Sequence, residues 1–429
     1  RRVPRDAAGG SRGDPRLRGV PMRTRVSIAA AGAAALLALL AADVSGAPPP
    51  VRAASTNRVA PPNRTATPPR EEASPWPLHE GPYHGSLDRI AFGAYGELRF
   101  AEDRIRGVTD PEWFSVGRVG GFATVRLNPR FEFLAEGAWD QGTNDFSLEQ
   151  ADLRYRLKRS MQLHAGIFLV PLGRTNLQHD GPAYEFAERS LPATQLIGVP
   201  NAQVGIGLRG VGGKFSGWPL SYEAAVVTGY DDGVIMDGVG GTRVPMGRNN
   251  YGDNNGIPAL SVRVAAHPSP TSEIGLAAQS GQYNKPVLGG VAIDHARYLH
   301  VLVADATSGF AGFGLFSEAV LALVDVPPGL EALYAQQQYG ASVELTRTLR
   351  EPIFEGWTHS RLSGGLRLDA VDLDPSLLGD SRTRLSASLN FRQLPLGVIR
   401  LGWYYEIARD RFNNKTPKAG VTVTTGAYF

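Results

Sequence analysis

The chain has 429 residues, 42% of them hydrophobic and 20% charged, with 51 Gly, 31 Pro and no Cys. A mean hydropathy of −0.17 excludes a bundle of membrane-spanning helices, but not a barrel whose strands give only alternate residues to lipid. Absent cysteine excludes a disulfide framework and a thiolate zinc site, and a net charge of +3 is too small to point to nucleic acid.

Residues 1–21 precede Met22 and are expected to be an over-extended start without structure. Arg23 and Arg25 then lead an uncharged run from Val26 to Ala42, followed by Val44, Ser45, Gly46 and Ala47. A basic head, an apolar core and small residues at the cut make residues 22–46 a secretory signal peptide, with cleavage after Gly46. The run is short for a spanning helix, which takes about 20 residues; a signal anchor is the rival reading. From 47 to 86 proline is dense and apolar residues are few, so a flexible periplasmic segment is expected.

From residue 87 onward the pattern has period two. Ile90, Phe92, Ala94, Leu98 and Phe100 share one parity, with Glu97 and Arg99 on the other; Ile399, Leu401, Trp403, Tyr405 and Ile407 alternate with Arg400, Tyr404 and Glu406. Such alternation marks strands with one apolar and one polar face, and the length of the segments suits a tilted strand crossing a bilayer. Sixteen strands are predicted, near 88–101, 114–127, 130–140, 146–157, 161–168, 202–214, 220–230, 257–267, 273–283, 293–305, 310–323, 335–348, 358–371, 381–393, 397–409 and 417–429. The tenth and eleventh alternate poorly, so the count carries a margin of two. Tight turns at 128–129, 158–160, 216–219, 267–271 and 394–396 alternate with longer loops at 102–113, 169–201, 231–256 and 372–380. The expectation for 87–429 is therefore an all-β fold: one transmembrane antiparallel β-barrel with short periplasmic turns and long external loops. Val421, Val423, Thr425 and Ala427 share a face with the terminal Phe429, a pattern that would be read by the barrel-assembly machinery.

One stretch is more specific. Phe146–Leu157 (FSLEQADLRYRL), His164–Gly173 (HAGIFLVPLG) and Glu188-Arg189-Ser190 resemble the phosphate-selective porin O and P family, whose strand exit here falls on Gly166, Pro171 and Gly173. The likeness is close over 146–200 and architectural elsewhere. It implies a sixteen-stranded, trimeric outer-membrane porin with loop 169–201 folded inward. Lysine is scarce in these strands, so a lysine-built phosphate site does not carry over.

If apolar residues face lipid, the opposite parity faces water. That parity collects Arg99, Arg118, Arg126, Arg154, Arg156, Arg209, Arg263, Arg361, Arg367, Arg384, Arg392 and Arg400, against Glu97, Glu132, Glu136, Asp152, Glu344, Asp369 and Glu406. Rings of guanidinium favour oxyanions; the bland alternative is that these charges only pair across strands. Arg174, His179, Tyr184, Glu185, Glu188 and Arg189 are expected at the constriction, with a solvated external loop as the alternative. Arg154, Arg156 and Arg189 are expected to weigh most in selectivity.

Enzyme motifs fail on inspection. Gly205, Gly207 and Gly210 fit a dinucleotide spacing, but the segment reads as a strand with no following helix. Gly213-Lys214 lacks glycine at 208 and Ser or Thr at 215. Tyr83 stands where a second histidine would follow His79-Glu80, and Asp253–Gly256 lacks a closing glutamate. The expected function is passive diffusion of small hydrophilic solutes, with anions preferred, through a homotrimeric outer-membrane porin without catalysis, cofactor, metal or nucleic-acid partner. A non-channel barrel, either lipid-acting or structural, is the alternative.

Overall fold

The computed structural model describes residues 85–87, 89–140, 145–235, 240–253, 255–356, 359–393 and 397–429. The over-extended start, the signal peptide and the proline-rich segment before residue 85 lie outside the described residues.

Sixteen long strands run in chain order: β1 (Ile90–Ile105), β2 (Val108–Arg126), β3 (Phe131–Asp140), β4 (Asp145–Lys158), β5 (Met161–Leu169), β6 (Ala202–Phe215), β7 (Trp218–Val227), β8 (Ala259–Ser269), β9 (Ser272–Gln282), β10 (Tyr298–Phe310), β11 (Phe313–Val324), β12 (Gln337–Arg350), β13 (Ser360–Asp372), β14 (Ser381–Gln393), β15 (Gly397–Arg409) and β16 (Lys415–Tyr428). Each pairs antiparallel with its sequence neighbours, and β16 returns to β1 through Lys418↔Ile105 to Tyr428↔Tyr95. The backbone of Phe429 exchanges both hydrogen bonds with Ala94 at 2.6 and 2.8 Å. Among the described residues, closure leaves no long strand with an open edge, the condition for crossing lipid with strands.

The alternation has its physical cause in this closure. Leu98, Leu276, Leu366, Leu385, Ile399 and Leu401 are exposed on the outer surface, while their inward neighbours are covered. A charged residue on the lipid face costs about 2–4 kcal/mol at mid-bilayer, which keeps most strand arginines on the other parity; Arg347 and Arg409, on the outer parity, stand near strand ends. Aromatic residues edge both rims: Phe131, Phe215, Phe310 and Phe429 by the short turns, Phe146, Tyr298 and Phe412 at the opposite end, as membrane barrels require.

Two expectations change. Residues 102–113 are not a loop; β1 and β2 stay paired to Ile105↔Val108, and Arg106 (φ 49°) and Gly107 (φ 85°) make a two-residue turn. Beyond the apolar band both faces are wet, so alternation vanishes while the ladder continues. The tenth strand starts at Tyr298, not 293. The poor alternation of β10 and β11 arises because Val301, Val303, Val320, Ala322 and Val324 point inward and are buried there.

Candidate functional site

Those inward valines are covered by a loop. Residues 170–201 leave β5, enter the lumen and return to β6. Val170, Leu172, Leu191, Leu196, Ile197 and Val199 pack on Val301, Val303, Val320, Ala322, Val324 and Val371, joined by Tyr230, Val234 and Val244 from loop 228–258. The neck is tied by Asn176, wholly buried. Its Nδ2 donates to the Val170 and Asn201 carbonyls at 2.7 and 2.9 Å, and its Oδ1 accepts from the Asn201 amide at 2.7 Å. Gly173 (φ 80°) turns the chain into the short helix Gly173–Leu177, where the Thr175 amide donates to Glu318 Oε2 at 3.1 Å.

The far end of the loop, residues 181–189, meets the opposite wall, and guanidinium groups hold its carbonyls. Arg392 donates to Pro182 at 2.8 Å and to Tyr184, Arg400 to Tyr184 at 3.0 Å and to Gly181, and Arg384 to Arg189. Arg367 reaches the Arg189 carbonyl at 3.3 Å, and Asn390 holds that of Glu185 at 2.9 Å. The loop therefore spans the lumen from an apolar wall to an arginine wall.

Beside it remains an opening of about 800 Å³ lined by β1–β3, β14–β16 and the loop. Its lining carries seven cations, Arg99, Arg118, Arg189, Arg382, Arg384, Arg400 and Lys418, against four carboxylates, Glu97, Asp140, Glu188 and Glu406. Arg99 pairs with Glu188 at 2.8 Å, Arg400 with Glu97 at 3.6 Å, and Arg382 and Arg384 approach Glu406 at 3.8 and 3.9 Å. A second opening of about 400 Å³, with Glu185, Arg347 and Arg361 in its wall, lies toward the short turns.

Of the twelve wall arginines singled out in the sequence, Arg99, Arg118, Arg384 and Arg400 line the larger opening and Arg361 the smaller. Arg154 is bonded to Asp152 at 2.8 Å, Arg209 to Gln162 at 2.8 Å, Arg263 to Glu273 and Asp305 at 2.7 Å, and Arg367 to Asp369 at 3.0 Å; all four are buried. Arg392 is likewise buried, gripping the loop. Arg126 and Arg156 are exposed next to the short turns. Among the loop residues, Tyr184, Glu188 and Arg189 face the larger opening and Glu185 the smaller, whereas Arg174 pairs with Glu273 at 3.1 Å beneath the apolar half.

His179 lies between Glu136 and Glu149, buried. Burial disfavours charge on its ring, but the Glu136 and Asp180 carboxylates outweigh that and push its pKa up to about 10. Burial pushes the neighbouring Asp180 carboxyl up to about 6.

The sequence reading passed over Arg382, Lys418, Thr194 and Gln195, which line the opening; parity alone would have found the first two. It also passed over Glu149. A β-bulge opposite Glu136 and Gly137 turns Glu149 inward together with Gln150, against strict alternation, and Glu149 pairs with Arg118 and His179. Ser221 Oγ and His267 Nε2 meet at 2.9 Å. Glu273 stands 3.8 Å from the ring's other nitrogen and is taken by Arg263 and Arg174, so it does not orient that histidine as a catalytic triad needs.

No family model matches the chain, nor does any curated protein. Solved outer-membrane channels share its fold. The channel DcaP of Acinetobacter baumannii superposes with a TM-score of 0.50 at 9% identity, over 81% of this chain and 99% of that one. OmpF of Salmonella typhi, solved in complex with daunomycin, gives 0.50 at 10% identity, over 80% of this chain and 98% of the other. Likeness at such identities concerns architecture: the chain has the closed sixteen-stranded barrel of outer-membrane porins.

Proposed function

We propose that this chain is a passive channel of a bacterial outer membrane that admits small hydrophilic solutes and prefers anions. The observation that carries the reading is the lining of the opening beside the loop, where Arg99, Arg189 and Arg382 reach the space while Arg118, Arg384 and Lys418 are paired behind it with Glu149, Asp369 and Asp103. Fixed charge acts over a Debye length of about 8 Å at physiological salt, so guanidinium groups that reach the opening govern a constriction of similar width. Guanidinium groups bind phosphate and carboxylate bidentately, which makes phosphate-like oxyanions fitting solutes; Arg99, Arg189 and Arg382 are the groups that would meet them. Barrels of this strand number leave an aqueous lumen. The reading includes export through residues 22–46, a mature start near Ala47, and assembly as a homotrimer in outer-membrane lipid, without catalysis.

Planar-bilayer recording tests it. Purified protein should give discrete conductance steps, a reversal potential in a potassium chloride gradient displaced toward the chloride equilibrium value, and partial block by inorganic phosphate. Cation selectivity would remove the anion reading. A folded barrel that never conducts would favour the non-channel alternative.

A further inference from the structure

The underside of the loop carries a cluster that the channel reading does not use. His179 and Asp180 descend from the loop, while Glu136 from β3 and Glu149 from β4 reach in from the wall. His179 Nε2 lies 3.1 Å from Glu136 Oε1, 3.0 Å from Glu149 Oε2 and 3.6 Å from Asp180 Oδ1. His179, Glu136 and Glu149 are 3%, 5% and 2% exposed. The other oxygen of each carboxylate is already engaged. Glu136 Oε2 accepts from Gln150 Nε2 at 2.5 Å, Glu149 Oε1 accepts from Arg118, and Asp180 Oδ2 accepts from the Tyr428 hydroxyl at 3.4 Å. What remains is one oxygen from each of three carboxylates converging on one imidazole nitrogen.

A single N–H cannot serve three acceptors. Asp180 Oδ1 shows the shortfall: it is out of contact with solvent and has no hydrogen-bond partner. Charge is short as well. Glu136, Glu149 and Asp180 outnumber Arg118 and a protonated His179, so the cluster keeps a net negative charge in a place where uncompensated charge is costly.

We propose that Glu136, His179 and Asp180 form a binding site for a zinc-class divalent cation, with Glu149 in reach as a fourth ligand, and that the ion fastens the loop to the barrel wall. Zinc binds imidazole nitrogen and carboxylate oxygen at about 2.0–2.2 Å, so tetrahedral ligand atoms stand about 3.4 Å apart; the separations from Nε2 bracket that value. The three donor atoms of Glu136, His179 and Asp180 all lie within 4.8 Å of one another. Imidazole among the donors favours zinc over calcium or magnesium. Gln150 and Arg118, holding the far oxygens of two carboxylates, stand where the outer partners of metal ligands stand. A divalent ion would cancel the surplus charge and satisfy Asp180 Oδ1. The donors come from two strands and a loop, so no sequence motif announces them.

The test uses the folded barrel purified from outer membranes in detergent, stripped with a chelator, dialysed and titrated calorimetrically with zinc, with calcium in a parallel run. Saturable uptake of about one zinc per barrel is expected, with no comparable calcium signal. His179→Gln should abolish it, and Gln150→Leu, which removes no ligand, should weaken it about 10- to 100-fold. Heat-modifiable gel migration confirms that each variant is folded. No saturable zinc uptake by the wild-type barrel, or uptake unchanged in folded His179→Gln, would overturn the proposal. If His179→Gln fails to fold, the wild-type titration and Gln150→Leu decide. Binding is read without current, so a non-conducting barrel that takes up zinc would refute the channel reading and leave this one standing.

Discussion

Across β9–β13 the inner wall presents Ala277, Val301, Val303, Val320, Ala322, Val324 and Val371, whereas across β14, β15 and β1 the inward positions carry Arg384, Arg392, Arg400 and Arg99. Both sets have the same orientation in the pleat. The difference is what covers them. On the first side loop 170–201 and part of loop 228–258 bring their own leucines and valines, so apolar contacts fill the lumen. On the second, the loop offers mainly backbone carbonyls, which arginines can hold without closing the space. An inward position in a large barrel is thus not polar by rule; it matches its occupant, and the larger opening lies on the side where loop and wall fit least tightly.

Breaking the apolar half should have the largest effect. Leu196 is wholly buried within it, and Leu196→Ala would leave a cavity costing about 2–5 kcal/mol. Because the barrel ladder does not depend on this side chain, the loss should appear as weaker docking of the loop. Hydrogen exchange of amides in 170–201 should accelerate while strand amides keep their protection, and single-channel conductance should rise or become noisy. Unchanged exchange in the loop would mean that its hold comes from the arginine side.

That side is tested next. Arg392 is buried and donates to the Pro182 and Tyr184 carbonyls. Hydrogen bonds to a charged group contribute about 1.5–3 kcal/mol, so Arg392→Gln should loosen residues 181–185 by an amount in or below that range. Mass-resolved hydrogen exchange should show the effect at the tip of the loop while Leu196→Ala acts on its base, separating the two anchors. Faster exchange spread evenly over the loop in both variants would contradict two independent holds.

Much of the barrel was legible because lipid imposes a rule on every second residue. Leu385, Leu389, Ile399 and Leu401 had to be apolar outside, and the strands followed from such runs, β10 and β11 least clearly. Legibility ended where that rule ends. Residues 102–113 lie beyond the apolar band, so the continued pairing of β1 with β2 leaves no hydrophobic trace. Val301 and Val320 face inward, but a contact with a loop more than a hundred residues away cannot be seen in local alternation. Glu149 is hidden by a bulge. The wall arginines were found by parity, yet parity gives only direction. Whether Arg263 meets Asp305, Arg392 meets a carbonyl, or Arg99 lines an opening depends on the path of the loop.

Selectivity sharpens the comparison through the open half alone. Arg99→Gln, Arg382→Gln and Lys418→Gln remove three lining charges, none of which donates to a loop carbonyl. A unit charge about 8 Å from an ion in water acts with about 0.5 kcal/mol, reduced by salt to about 0.2. Three such changes raise the anion's barrier by about 0.6 kcal/mol and lower the cation's equally, so the permeability ratio should fall roughly five- to tenfold. Reversal potentials in a salt gradient measure this, and the difference should shrink as salt rises. An unchanged ratio would place the selectivity step elsewhere, the smaller opening at Arg361 being the next to test.

The smallest effect should come from arginines that share the inward parity but not the opening. Arg126 and Arg156 are exposed beside the short turns and are absent from the lining of either opening. If arginine number alone set the preference, Arg126→Gln with Arg156→Gln would lower the anion ratio by about two-thirds as much as the lining triple variant. If position sets it, screening in open water makes their contribution small, and the ratio should move by less than roughly 1.5-fold. Stability should stay within about 0.5 kcal/mol of the parent, as for most exposed substitutions, so a lost current could not be blamed on unfolding. A ratio that fell as far as in the lining variant would show that charge at the rim selects ions before they reach the loop, and the contrast between the two halves of the lumen would then explain conductance but not selectivity.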